Sequence, residues 1–331
     1  MMLLASFLRN YRLKFTNRSC TTFLTISKRT IKMAAISERK RGAIAVCQLN
    51  CRSDKNDNLK TCSDLIAEAK LKGAKMAFLP EGFDYIADSR QKSIDMAEPI
   101  DGHVITTMKS LAKQHNMWLS LGGMHHKDVS QDEESRINNC HVIINNTGDI
   151  VAKYNKTHLF DVDIKGHVRL KESDYTIPGS RIVPPVTTPL GKVGLATCYD
   201  LRFPEMSLAL AEQGAEILTF PSAFTFTTGA AHWEILLRSR AIETQCYVVA
   251  AAQTGKHHDR RTSYGHSMVV DPWGCVIACC HEGVDVCVVD IDLDYQQKIR
   301  TEMPVWNHRR YDLYGKITTQ PSDVVSERSD T

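Results

Sequence analysis

A two-sheet α/β layering with helices on the outside is the fold class this 331-residue sequence predicts. From residue 42 onward, apolar runs of strand length alternate with stretches of helical periodicity. Two antiparallel hairpin signals sit among the crossover helices, so the sheets are mixed in sense. With 43% hydrophobic and 24% charged residues the chain is ordinary globular material, read as one domain without internal repeat or low-complexity block.

Taken in order, GAIAVCQL (42–49) reads as the first strand. Residues 56–73 follow as a helix, with Asp54 or Asn56 available to cap it and Gly73 to stop it. AKMAFLP (74–80) returns as a strand that runs into Glu81. Residues 103–116 form the next helix and WLSLGGM (118–124) the next strand. Residues 140–155 read as two strands turning at Asn146–Asp149. From Thr157 to Pro189 no periodicity is visible, which predicts a long functional loop. KVGLAT (192–197) is a strand, Pro204-Glu205 opens a helix, and EILTFPSA (216–223) is a strand. Residues 232–245 read as a strongly amphipathic helix and CYVVAAAQ (246–253) as a buried strand. A second hairpin covers 267–280, turning at Asp271–Gly274 with Ser267 in mid-strand, and DVCVVDIDL (285–293) closes the series.

The first 33 residues differ in kind. They hold no Asp or Glu, while Arg9, Arg12, Lys14, Arg18, Lys28, Arg29 and Lys32 are interleaved with Leu, Phe, Ser and Thr. That composition predicts a mitochondrial transit peptide over residues 1–35, and Met33 offers a start for a shorter cytoplasmic product. The folded domain is expected over 41–315, with a polar tail from 316 to 331. The apolar runs of the leader are too short to cross a bilayer. A net charge of +3 without a basic stripe argues against nucleic acid as a partner.

The 11 cysteines show no disulfide framework. Cys47, Cys140, Cys246, Cys279, Cys280 and Cys287 lie in strand-like text and read as buried free thiols. Cys275, Cys279 and Cys280 have strand character, and His257-His258 sits in a loop without a nearby cysteine, so no metal site is expected.

Three ionisable residues carry the chemistry. Glu81, Lys156 and Cys198 each follow directly on an apolar run, and residues at the ends of adjacent strands converge on one rim of a sheet. A thiol, a carboxylate and an amine there supply acyl transfer through a thioester. Cys198 at a strand-to-helix turn is expected to be exposed, with the helix dipole favouring its thiolate and the Tyr199 N–H facing the oxyanion. Glu81 serves as base, best if partial burial lifts its pKa, and Lys156 steadies the oxyanion and keeps Glu81 ionised. Glu172, in the long loop, is a further carboxylate able to position Lys156.

LPEGFDYI, YNKTHLFDVDI and ATCYDLRFPE resemble the three signatures of the nitrilase superfamily, carbon–nitrogen hydrolases with a Glu-Lys-Cys triad. The likeness spans roughly Arg41 to Gly315, and residues 220–258 and 263–274 resemble its Nit branch. It implies a four-layer αββα sandwich, a homodimer or higher homo-oligomer, and amide hydrolysis without cofactor or metal. Carried onto matching positions, Cys198 is nucleophile, Glu81 general base, Lys156 oxyanion stabiliser or proton donor and Glu172 the supporting carboxylate. Ala230 departs from the proline usual in TTGAAHWE-like segments. The branch implies a peptide-like keto-acid amide as substrate, deaminated glutathione, yielding 2-oxoglutarate and cysteinylglycine. The alternatives are α-ketoglutaramate-type amides or a non-enzymatic role beside Fhit-type proteins. Carboxylates on such a substrate call for a cation, for which Arg202 is the first candidate; the alternative reading, given slightly more weight, is that Arg202 braces the elbow through Asp200 or Glu205, and Tyr199, Phe224 and Thr228 are expected to line the pocket.

Overall fold

The computed structural model describes residues 41–128, 136–164 and 168–317. The transit-peptide and Met33 readings, and the tail beyond 317, lie outside the described residues. The strand β1 (Arg41–Leu49) leads into helix α1 (Lys55–Leu71), whose cap is Asp54: its carboxylate accepts from the N–H groups of Asn56 and Asp57. Gly73, at φ +87°, ends the helix in the left-handed region that side chains resist. Then come β2 (Met76–Leu79), α2 (Arg90–Asp95), α3 (His103–His115), β3 (Trp118–His126), β4 (Asn138–Ile144) and β5 (Ile150–Asn155). The aperiodic stretch contains β6 (Asp161–Ile164), β7 (Val168–Lys171) and β8 (Val186–Thr188). The second half runs β9 (Gly191–Leu195), α4 (Pro204–Glu212), β10 (Ile217–Thr219), α5 (Phe226–Thr244), β11 (Tyr247–Ala250), β12 (Ala252–His258) and β13 (Arg261–Tyr264). It closes with β14 (Met268–Val270), β15 (Val276–Cys279), β16 (Asp285–Asp292), α6 (Leu293–Glu302) and α7 (Tyr311–Tyr314).

One sheet has eight strands in the order β13-β12-β1-β2-β3-β4-β5, with β16 antiparallel to β1; the other has six in the order β15-β14-β11-β10-β9-β8. At the heart of each lie three parallel strands: β1, β2 and β3 in the first, β9, β10 and β11 in the second. Strand alternation then builds the layers. On β1 and β2, Ile44, Val46, Met76 and Phe78 face the core shared with Val193, Leu195 and Leu218 of the second sheet. Ala45, Cys47, Ala77 and Leu79 face the other way, onto Ile66 of α1 and Ile105 and Met108 of α3. Trp233, Leu237 and Ala241 of α5 cover the second sheet. The order is helix, sheet, sheet, helix, the αββα sandwich that the motifs imply.

Five expectations need correction. Residues 157–189 hold a small hairpin and a strand, because β6 and β7 pair with each other and not with the main sheets, which leaves no core-facing periodicity to read. His257 and His258 lie in a strand, β12, not in a loop; the buried His257 ring bonds the Cys51 carbonyl at 2.7 Å and the Ser263 hydroxyl at 2.8 Å. The helix expected over 232–245 starts earlier, capped by Thr225, and Gly229 within it lets the ring of Tyr264 approach where a Cβ would sit 2.3 Å away. It is also less amphipathic than expected, since Ile235 and Ile242 are exposed on its outer face. Ser267 precedes β14 and is consumed by backbone, accepting from the Ala252 N–H at 2.7 Å.

Candidate active site

Glu81, Lys156 and Cys198 stand at the carboxyl ends of β2, β5 and β9. Glu81 is fixed from behind by Gly82, whose N–H donates to the Gly123 carbonyl at 2.9 Å. Gly123 has φ +55°, and a Cβ there would lie 3.0 Å from Glu81 Cγ and 2.5 Å from Asn139 Oδ1. Lys156 extends the β4–β5 pairing, its N–H donating to the Asn139 carbonyl at 2.9 Å. Cys198 adopts φ +48°, rare for a residue with a side chain, and its N–H is held by the Pro221 carbonyl at 2.9 Å. This strained elbow is clamped by Asp200, fully buried, whose carboxylate accepts from Thr197 N–H (2.8 Å), Tyr154 hydroxyl (2.7 Å) and His158 N–H (3.1 Å). Arg240, reaching from α5, donates to the Leu201 carbonyl at 3.1 Å.

The three functional groups meet. Lys156 Nζ lies 3.0 Å from Glu81 Oε1 and 2.8 Å from Glu172 Oε2, with all three side chains buried. Asn139 Nδ2 donates to Glu81 Oε1 at 2.8 Å and to Glu172 Oε1 at 3.3 Å, and Phe160 N–H donates to Glu172 Oε2 at 2.7 Å. The Cys198 thiol lies close enough to Glu81 for each group to shift the other's pKa, and the Glu81 oxygen not used by Lys156 takes the Ala223 N–H at 3.1 Å.

Electrostatics at the elbow depart from expectation in two ways. Cys198 is pushed well above the ordinary thiol range, by burial first and the Glu81 carboxylate second, so the resting sulfur is a thiol. Its turn is a 3-10 helix of only 5 residues and α4 begins at Pro204, so no long helix dipole opposes that burial. Glu81 moves down, not up: burial alone raises it, but Lys156, the Cys198 thiol and Arg261 outweigh burial. Lys156 is held well above its usual range because the Glu172 and Glu81 carboxylates overcome its desolvation. The carboxylate is an ion and the amine an ammonium.

These groups form one wall of a cavity of about 940 Å³. Tyr199, Arg202, Phe224 and Thr228 all line it. Arg202 sits over the rings of Tyr199 (5.7 Å) and Phe224 (5.5 Å), and its guanidinium lies 3.4 Å from His232 Nδ1. It does not brace the elbow through Asp200 or Glu205; Asp200 is satisfied by backbone and by Tyr154, Thr157 and His158. Thr228 is partly structural, its hydroxyl 2.9 Å from that of Thr225 in the cap of α5. Sequence reasoning missed Asn139, Arg261 and His125. Asn139 bridges both carboxylates, and the guanidinium of Arg261 lines the cavity near Glu81. His125 lines the cavity, its ring oriented by the buried Asp84 at 3.0 Å. The double Asn at 138–139 and the Arg260-Arg261 pair beside a strand turn were the available signals. Among the described residues, one group outside the cavity gathers metal-type ligand atoms: Cys280, Asp285 and Cys287, within 4.8 Å of one another.

Residues 43–301 match the family model of the carbon–nitrogen hydrolases. The chain belongs to that family. Like the family it is a hydrolase of carbon–nitrogen bonds, of the amidase kind. It is 56% identical over 274 residues to deaminated glutathione amidase of Bos taurus, covering 83% of this chain and 84% of that protein. Among solved structures it resembles the C. elegans NitFhit protein with a TM-score of 0.79 and 52% identity, covering 84% of this chain and 66% of that one, so it spans about two thirds of the fusion protein. It also resembles Saccharomyces cerevisiae Nit3, a member of branch 10 of the nitrilase superfamily, with a TM-score of 0.72 and 30% identity over 82% of this chain and 97% of that one.

Proposed function

We propose that this carbon–nitrogen hydrolase cleaves the amide of deaminated glutathione through a thioester on Cys198, giving 2-oxoglutarate and cysteinylglycine. The observation that carries the reading is the single Lys156 ammonium between Glu81 and Glu172, with Cys198 on the same cavity wall. As sulfur attacks the amide carbon, Glu81 takes the thiol proton, and the oxyanion forms beside Lys156. The Tyr199 N–H is a second donor, since the first bond of its turn, Asp200 N–H to Thr197 carbonyl, leaves it unused. Protonated Glu81 gives its proton to the departing amine, and the thioester is left. Glu81 then takes a proton from water as that water attacks, and returns it to sulfur when the acid leaves. Because Lys156 is held as an ammonium, it stabilises charge and donates no proton. Glu172 and Asn139 position it.

A cavity of 940 Å³ is at the upper end of small-molecule sites, about 300–1,000 Å³, and suits a tripeptide-sized acid better than a five-carbon amide. Arg202 and Arg261 supply cations for its carboxylates. The identity to deaminated glutathione amidases points the same way. The deciding experiment compares kcat/KM of the wild type on deaminated glutathione and on α-ketoglutaramate, following 2-oxoglutarate, with Cys198→Ser as control. The reading requires preference for the first substrate and loss of activity on the order of 10⁴-fold or more in the control. Preference for α-ketoglutaramate refutes the substrate, and an active Cys198→Ser refutes the nucleophile. A biological effect kept in full by Cys198→Ala would favour the Fhit-type interaction role instead. We further propose a homodimer or higher homo-oligomer, and a mitochondrial leader over residues 1–35 with a cytoplasmic form from Met33. Deleting 1–35 should leave Tm unchanged, and fluorescent fusions starting at Met1 or Met33 should part between the compartments.

A further inference from the structure

We propose that Cys280, Asp285 and Cys287 form a binding site for a thiophilic divalent cation of the zinc class, which ties the two sheets together. Cys280 directly follows β15 of the six-stranded sheet, while Asp285 and Cys287 lie on β16 of the eight-stranded sheet. The connecting turn is one of the points where the chain crosses from one sheet to the other, and none of the three residues lines the catalytic cavity. Two sulfurs and a carboxylate oxygen, all within 4.8 Å of one another, make a soft, three-ligand set. A tetrahedral ion with bonds of about 2.3 Å to sulfur and about 2.1 Å to oxygen would draw them in by roughly 1 Å.

The surroundings favour a cation. Cys280 is 2% exposed, and its sulfur has only a weak contact with the Val46 carbonyl at 3.7 Å. The turn is also held in shape from β1: Gln48 Nε2 donates to the carbonyls of His281 and Gly283, and Gly283 turns at φ +90°. On binding, each thiol releases its proton to solvent and both thiolates and the carboxylate bond the metal, with the fourth position left to water. Asp285 is held in place by the N–H groups of His281 (3.2 Å) and Val286 (2.8 Å), which fixes its carboxylate beside the two sulfurs.

The test uses the full chain carrying Cys198→Ser, reduced and freed of metal with a chelator, then titrated with Cd²⁺. A near-ultraviolet thiolate-to-cadmium band saturating at equimolar metal, with a rise in Tm, is the expected result. Both are lost in Cys280→Ser/Cys287→Ser. If that variant does not fold, Asp285→Asn decides, since it keeps both thiols and should bind cadmium at least tenfold more weakly, equivalent to about 1.4 kcal/mol. Absence of the band in the parent, its persistence in the double variant, or unchanged affinity in Asp285→Asn overturns the proposal. So does peptide mapping that finds Cys280 joined to Cys287 in the protein as isolated.

Discussion

Replacing Lys156 with Met keeps the volume of the side chain and deletes its charge. The ammonium is 2% exposed and lies 3.0 and 2.8 Å from two buried carboxylates, so nothing in solvent replaces it. Removing one member of such a buried cluster costs about 3–5 kcal/mol, because the remaining charges are left uncompensated. For a domain of this size that is a fall in Tm of roughly 6–10 °C. The sign of the pH dependence follows from the directions of the shifts. In the wild type, Lys156 is raised, so its stabilisation is complete below about pH 10 and is lost only as pH rises through the higher folded value. Glu81 is lowered, so its stabilisation is present above about pH 4.3 and is lost as pH falls through the lower folded value. The wild type should therefore hold this contribution flat between about pH 5 and 9. In Lys156→Met the two carboxylates repel without a cation, and acid relieves them, so the deficit should shrink from pH 8 to pH 5. Urea unfolding of both proteins across that range measures it, with activity falling at least about 10²–10³-fold in parallel. A deficit below about 1 kcal/mol, or one that does not change with pH, would refute the electrostatic picture of this cluster.

Gly123→Ala places a methyl 2.5 Å from Asn139 Oδ1 and forces a side chain onto φ +55°, so stability should drop by about 1–3 kcal/mol, with kcat lowered through displacement of Glu81; unchanged kcat in the folded variant counts against the backing role. Asp200→Asn turns an amide N–H₂ toward donors that need an acceptor, and thermal melts should show a loss of about 1–3 kcal/mol with a larger proportional loss of kcat than of 1/KM. Arg202→Lys removes the two-point fork and should raise KM about tenfold while leaving kcat nearly intact; a folding defect with normal KM would instead make Arg202 structural.

The legibility of this chain follows burial. β1, β2, β9, β10 and β11 are short apolar runs buried on both faces, and such runs stand out in text whatever surrounds them. The residues after them were readable for the same reason, since the end of an apolar run marks the rim where Glu81, Lys156 and Cys198 converge. What escaped was set by contacts that sequence does not display. The hairpin of β6 and β7 has no core behind it, and β12 carries the Lys256-His257-His258 run because His257 bonds Cys51 and Ser263 across the sheet. Arg261 and Asn139 are polar residues in unremarkable text, and only the approach of four elements gives them a common cavity. Cys198 rises because burial and the Glu81 carboxylate outweigh the dipole of a short turn, whereas Glu81 falls because the Lys156 ammonium and its other partners outweigh the burial that alone would raise it.

A thiol held above its usual range looks like a poor nucleophile, yet in the proposed route it is consistent with a base that is an anion. Before attack the cluster holds one ammonium, two carboxylates and a neutral thiol. After attack it holds one ammonium, one carboxylate, a protonated Glu81 and an oxyanion. The total charge is the same, and the negative charge has moved from Glu81 to an oxygen that Lys156 also serves. A buried site with no bulk water to absorb a change in charge gains from such a step, since the ammonium is already in place and no reorganisation is needed. A standing thiolate would add a third anion beside Glu81 and Glu172 at rest, with Lys156 the cation bonded to both carboxylates. The prediction is that Glu81→Gln, which keeps the shape but removes the proton acceptor, leaves Cys198 largely unreactive toward iodoacetamide near pH 7. If that variant alkylates as fast as an unhindered thiolate, sulfur is activated without Glu81 and the proton-transfer scheme fails.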